Sequence, residues 1–320
     1  MNFKFADYSV VITTYNSSNY IRKALDSVFS QTIEPSEVIV VDDCSTDNTI
    51  ESISSYPIKI IESQVNLGTA IARNLGLSAV QSEFIFILDA DDYWDSNLAS
   101  DHMEKWNNCE SQMVALGSHM RIKYEVKEKP RFKLREKSST DNLVEAIEIR
   151  DLAKHNPFFA SATSFRTSKL RDVGGWTIRP HSYCEDFDVL SKLLLSGYKV
   201  GMISKVNGTY LVRDSNKSSN LIEVFKSELR TMETLLLSQR KASDKMRWNE
   251  FKIVFQNYLS QIARVFRQVS FIEIIEKDDI FQWVANSKWF YIRPFGLKLF
   301  RTLLYIFWRI KIEMRDRLPN

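Results

Sequence analysis

The sequence has few cysteines, and its three, Cys44, Cys109 and Cys184, lie far apart and form no C-x-x-C pair. That pattern argues against a disulfide framework and a structural zinc site, and it fits a reducing compartment. A charge excess is also missing. The 43 Lys and Arg face 40 Asp and Glu, a formal net charge of +3 that is too balanced to indicate a nucleic-acid partner. No run of about 18 apolar residues occurs, so no membrane-spanning helix is expected. Met1–Ala6 lacks the basic-then-apolar order of a secretory signal, and a cytoplasmic location is the expectation. No G-x-G-x-x-G follows the first apolar run, which disfavours dinucleotide oxidoreduction. That run ends in TTYN rather than a glycine-rich loop with a basic residue, which disfavours nucleotidyl transfer. The four histidines, His102, His119, His155 and His181, show no metal-ligand spacing.

What is present is strand–helix alternation. Ser9–Thr14, Glu37–Val41, Ile58–Ile61 and Phe84–Leu88 read as strands, and Asn19–Gln31, Asp47–Tyr56 and Thr69–Val80 read as the helices between them. The strands are almost wholly apolar instead of alternating, as expected of a parallel sheet covered by helices on both faces. Short βαβ links make this a doubly wound α/β domain, in which ligands bind beyond the carboxyl ends of the strands. Farther on, Met113–Val126 and Ala160–Arg166 read as strands, with a turn at Gly174-Gly175. Glu185–Ser196 reads as a helix stopped by Gly197, and Lys199–Ile203 and Thr209–Val212 as two short strands. From Leu221 the pattern becomes helical throughout.

The carboxyl ends of three strands carry Thr13-Thr14-Tyr15-Asn16, Asp42-Asp43-Cys44-Ser45-Thr46-Asp47 and Asp89-Ala90-Asp91-Asp92. Six aspartates on one sheet edge repel, and a divalent cation with an anionic ligand would relieve them. Hard oxygen donors suit Mg²⁺ or Mn²⁺ bridging to a diphosphate. Arg73, on the helix after Gly68, would add a second cation near this edge. Any one aspartate here also fits a turn or helix cap, and Asp47 reads as a cap.

The ordered set VVITTYN, SVFSQT, EVIVVDDCSTDNT, NLGTAIARNLGL and FIFILDADD closely resembles the nucleotide-binding half of family 2 glycosyltransferases, and looser likeness continues to about Asn220. The resemblance implies a GT-A fold: a doubly wound, mostly parallel sheet with helices on both faces, here with a helical C-terminal extension. It implies that residues 1–105 form the nucleotide-sugar half, 106–220 the acceptor half and 221–320 the extension. It also implies inverting transfer from a nucleotide-diphosphate sugar, most often a UDP-sugar, to a saccharide or lipid-linked saccharide in cell-surface polysaccharide synthesis. Thr13 and Tyr15 would hold the base, Tyr15 by stacking, and Asp43 would bond the base edge. Arg73 would lie near base or phosphates, and Asp89 and Asp91 would serve ribose and metal. Asp92 contends for either role, ribose or metal, since DADD permits two registers. Asp186 would be the catalytic base with Glu185 beside it, although an acidic first helical turn alone would also give that pair. Arg213 begins a loop, RDSNKSS, that carries Asp214 and Ser215 where relatives often place a metal-reaching His, while Arg213 and Lys217 would meet phosphate oxygens. Trp176 would stack on a sugar or pack in the core. A non-catalytic sugar-nucleotide-binding relative is the rival reading.

The final segment interleaves Trp, Tyr and Phe with Lys288, Arg293, Lys298, Arg301, Arg309, Lys311, Arg315 and Arg317. Such a helix either lies on an anionic membrane surface or packs on this domain or a second copy. The chain has no Q-x-x-R-W run, since Arg247-Trp248 lacks the Gln, which favours single-sugar transfer over processive polymerisation.

Overall fold

A computed structural model describes residues 7–126, 144–154, 156–178, 183–213 and 227. The chain divides into two compact units, Met1–Leu259 and Ser260–Asn320, and every described residue belongs to the first. The C-terminal segment, the loop after Arg213 and His181 therefore lie outside the described residues.

The first part alternates as its sequence pattern requires: β1 (Tyr8–Thr14), α1 (Ile21–Phe29), β2 (Glu37–Asp42), α2 (Thr49–Ile53), β3 (Lys59–Glu62), α3 (Thr69–Ala79) and β4 (Phe84–Asp89). These four strands pair in parallel in the order β3-β2-β1-β4. All seven residues of β1 are buried, as are five of the six in β4, so the unbroken apolar runs mark strands covered on both faces. Helix α3 packs close on this sheet: a Cβ on Gly76 would fall 2.4 Å from a Val11 methyl, and only glycine permits that approach.

The second part is β5 (Tyr93–Trp94), α4 (Leu98–Asn108), β6 (Met113–Glu125), β7 (Val144–Ile147), α5 (Ile149–Lys154), a 3₁₀ turn at Ala160–Ala162, β8 (Thr163–Arg166), α6 (Thr167–Asp172), α7 (Glu185–Leu195) and β9 (Lys199–Arg213). The sheet continues from β4 through β8, β6 and β9 to β5, with β7 also on β9. Strand β8 runs antiparallel to β4. It therefore begins at the edge where β4 ends, and this brings residues of the 3₁₀ turn to that edge.

Two expectations need correction. Ala160–Ala162 is a 3₁₀ turn ahead of the strand, not part of it. Lys199–Ile203 and Thr209–Val212 are one strand, β9, which runs through Asn207-Gly208 with register irregularities against β6. Within that strand Gly208 serves a close approach: a Cβ there would lie 2.8 Å from the Tyr93 carbonyl oxygen. Helix α7 ends as its sequence suggests, with Gly197 at φ +82° and the Tyr198 N–H returning to the Leu193 carbonyl. His102 is a core residue, fully buried between the Ser164 and Ser118 hydroxyls, and burial pushes its pKa down to about 3. No helix among the described residues is long and apolar enough to cross a membrane.

Candidate active site

The edge is formed by the loops that leave β1 and β2, and polar side chains brace one loop against the other. Asn16 (φ 49°) and Cys44 (φ 68°) turn the chain through left-handed conformations. The Asn16 N–H donates to Ser45 Oγ at 2.9 Å, and its side-chain oxygen accepts the Thr46 N–H at 2.8 Å. Asp47 Oδ2 accepts the Ser18 N–H at 3.1 Å while Oδ1 accepts the Thr49 N–H at 3.0 Å, so it opens α2 and ties the two loops together. Asp42 accepts the Ser45 N–H at 2.9 Å. Asp43 accepts the Leu67 and Gly68 N–H groups at 2.6 and 2.8 Å, which holds the loop into α3. Asp42, Asp43 and Asp47 are thus each answered by backbone N–H donors. Tyr15 stands 49% exposed at this edge, and Thr13 is buried, with its hydroxyl donating to Asp89 Oδ1 at 3.2 Å.

The DADD run sends its carboxylates in different directions. Asp92, a contender for ribose or metal, points inward. It is 1% exposed, accepts from Ser161 Oγ–H and takes the Leu211 N–H at 2.8 Å. Burial first, then Asp91 and Asp89, pushes its pKa well up. Asp92 fastens β9 and the start of β8 to the end of β4. Ser161 also accepts the Asp89 N–H at 3.1 Å, and no motif in the sequence marks that serine. Asp91 remains at the edge, paired with Arg213, whose Nε lies 3.1 Å from Asp91 Oδ2 and whose guanidinium sits 4.4 Å over the Tyr20 ring. Burial and the charge of Asp89 raise the Asp91 pKa against the pull of Arg213.

Arg73 lies inside the site. It is 3% exposed and donates to Asp89 (2.9 and 3.2 Å) and to Asp186 Oδ1 (2.7 Å). Asp186 and Glu185 open α7, and the two differ in access: the Asp186 side chain is 31% exposed, whereas Glu185 is buried at 8%. Asp186 borders a small pocket with Ile87, Ala160, Thr163, Phe165, Trp176 and Leu190. Burial against these mostly apolar neighbours raises its carboxyl to about 6; Arg73 opposes the rise, and Glu185 and Asp89 add to it. Trp176 is core: 1% exposed, it meets Phe165 edge-on at 5.8 Å.

Trp176 is fixed by its neighbours in sequence. The Asn74 amide bonds both its N–H (2.9 Å) and its carbonyl (2.8 Å), and Gly175 before it holds φ +62°. A Cβ on Gly175 would lie 2.2 Å from Asn74 Oδ1. Gly175→Ala is therefore expected to cost about 2–3 kcal/mol in chemical unfolding, from left-handed strain plus the clash. An unchanged unfolding midpoint would show that the turn relaxes freely.

A divalent cation fits this edge only in part. Among the described residues, no group of three or more His, Cys, Asp or Glu could hold a metal. Asp91 nonetheless already faces a cation, the Arg213 guanidinium, and offers a hard oxygen donor. An ion there would take Asp91 from the protein and its other ligands from a diphosphate and water.

Parallel strands, a carboxylate-bearing strand end and an acidic helix start facing it define an α/β fold of the GT-A type. Residues 9–170 match the family described as Glycosyl transferase family 2, and the chain belongs to that family. Minor teichoic acid biosynthesis protein GgaA of Bacillus subtilis is 29% identical over 227 residues, 68% of this chain and 49% of that protein. Poly(ribitol-phosphate) beta-N-acetylglucosaminyltransferase TarS of Staphylococcus aureus is 36% identical over 101 residues, 29% of this chain and 18% of that protein. The chain thus spans less than half the length of either relative. The crystal structure of S. aureus TarS 1-349 in complex with UDP-GlcNAc shares the fold with a TM-score of 0.68 at 21% identity, covering 87% of this chain and 79% of that one. The mannosyltransferase PcManGT from Pyrobaculum calidifontis, in complex with GDP-Man and Mn²⁺, gives a TM-score of 0.57 at 18% identity, covering 78% of this chain and 68% of that one.

Proposed function

We propose that this protein transfers a single sugar from a nucleoside-diphosphate sugar, with UDP as the carrier, to an acceptor hydroxyl with inversion at the anomeric carbon. The observation that carries this reading is the meeting of Asp89 at the end of β4 with Asp186 at the start of α7, through Arg73, on one sheet edge. Tyr15 has the exposure to stack on the nucleobase. Each Asp43 oxygen keeps a second lone pair for the base edge. Asp89, beside Thr13, is placed for the ribose hydroxyls.

Asp186 accepts the proton of the acceptor hydroxyl as that oxygen bonds to the anomeric carbon. The bond from that carbon to the diphosphate breaks on the opposite face, and no covalent enzyme intermediate is needed. A carboxylate desolvated by an apolar pocket, with its pKa near 6, is a stronger base than one in water and is still largely ionised at neutral pH. Mn²⁺ or Mg²⁺ held by Asp91 would supply charge neutralisation for the departing diphosphate. Arg213 stands next to Asp91 and could meet the same oxygens.

The relatives named for teichoic acid and poly(ribitol-phosphate) chemistry support a saccharide or lipid-linked saccharide acceptor in cell-surface polysaccharide synthesis. The basic, aromatic C-terminal segment would bring the enzyme to an anionic membrane surface where such an acceptor resides, or join two copies.

Calorimetric titration of uridine, guanosine and thymidine diphosphates, with and without Mn²⁺, tests the donor half of this reading. Uridine diphosphate is expected to bind, and more tightly with Mn²⁺. Binding of another diphosphate alone would replace the carrier. No binding to folded protein would refute a donor site at this edge.

A further inference from the structure

We propose that Arg73 is a positioning residue that fixes the Asp186 carboxylate against Asp89, joining the acceptor side of the site to the donor side, and that it is not itself a ligand of the nucleotide. The inference rests on Asp186 being the base.

The geometry is specific. One guanidinium nitrogen of Arg73 bonds Asp186 at 2.7 Å, and the other bonds both oxygens of Asp89 at 2.9 and 3.2 Å. The residues joined come from α3, β4 and α7, and Arg73 and Asp186 are 113 positions apart in sequence. A planar fork suits two carboxylates at fixed separation, which a lysine ammonium cannot match. The Arg73 side chain is 3% exposed, and its guanidinium carbon lies 5.9 Å from the centre of the Trp176 ring. To reach a nucleobase or a phosphate, Arg73 would have to leave two partly buried carboxylates uncompensated. Among the described residues, the charged groups that act on Asp186 are Arg73 from α3, Glu185 beside it on α7 and Asp89 from β4. Only Arg73 among them favours the ionised base. Asp89 and Glu185 oppose it, so among the described residues Arg73 is the cation that favours ionised Asp186. Because the same guanidinium holds Asp89, a donor seated on Asp89 and the base would be aligned by a single rigid group.

The test uses the full chain with Arg73→Gln and Arg73→Lys, and three readouts: uridine diphosphate affinity by calorimetry with Mn²⁺, the Asp186 titration by carboxyl ¹³C NMR, and the pH profile of kcat/KM. Asp186→Asn assigns the NMR signal. For Arg73→Gln, diphosphate affinity is expected to stay within about threefold, and the Asp186 titration to move up by about one pH unit or more. The acid limb of kcat/KM should move with it, and kcat should fall roughly 100-fold. Arg73→Lys should bring the titration most of the way back while kcat stays roughly tenfold low, because one ammonium cannot hold both carboxylates. An affinity loss of tenfold or more with an unmoved titration would make Arg73 a donor ligand and overturn the proposal. If Arg73→Gln does not fold, Arg73→Lys decides: wild-type kcat with a wild-type profile overturns it. The two readings fail differently. An inactive Asp186→Asn with an unmoved titration in the Arg73 variants removes only the positioning role. A fully active Asp186→Asn removes the base assignment and this role with it.

Discussion

Asp186→Asn is expected to bind the nucleoside diphosphate as the unaltered protein does and to transfer sugar about 10²–10⁴-fold more slowly, the range that one positioned base supplies. The substitution keeps the shape of the side chain and leaves an amide oxygen for the Arg73 contact, so the packing around α7 should persist. What disappears is the ability to take a proton. In the unaltered protein kcat/KM should rise with pH through about 6, because the base must be deprotonated to act and its carboxyl is raised to that value by burial. The Asn variant should lose that limb. A single-turnover assay with a matched donor-affinity measurement separates the outcomes. A near-normal rate would move the base to Glu185 or elsewhere, although Glu185 is buried at 8% and less open to an acceptor.

Asp91→Ala is expected to remove the metal-dependent part of diphosphate binding, a loss of roughly 10–100-fold or more by comparison with what even outer-sphere metal partners contribute. Asp91 is partly exposed and paired with Arg213 at the end of β9, whereas Asp92 is locked inward. Removing Asp91 also frees Arg213. Arg213→Gln is therefore the companion variant: it should leave Mn²⁺-dependent binding detectable, whereas Asp91→Ala should not. Calorimetry with and without Mn²⁺ reads both. Unchanged Mn²⁺-dependent affinity in Asp91→Ala would sink the metal assignment.

The parallel strands were legible in the sequence because burial on both faces leaves a run of apolar residues and little else, as in VVI, VIVV and FIFIL. The convergence of strand ends followed from topology. What could not be read was the direction of individual polar side chains. Nothing in DADD separates Asp91 from Asp92, because the choice is made by Ser161 and Leu211, which arrive from 69 and 119 residues away. Arg73 sits on a helix where an arginine would ordinarily be solvated, and its burial depends on two carboxylates contributed by other elements. Asp42, Asp43 and Asp47 looked like part of a charge cluster, but backbone N–H groups of neighbouring loops satisfy them. Helix α4 did carry a signal, with Leu98, Ala99, His102, Met103 and Trp106 buried on one face, but polar residues between them mask it.

The pairing of β4 with β8 has a consequence for how this chain can be divided. One continuous sheet crosses from residues 1–105 into residues 106–220, and the seam between them runs beside Asp89. A fragment ending after α4 would keep the tyrosine and aspartates of the donor side but lose the strand that covers β4. It would present an apolar, unpaired edge to any neighbouring chain. Such a fragment is expected to self-associate along that edge. The proposed donor and acceptor sides thus rest on one continuous sheet.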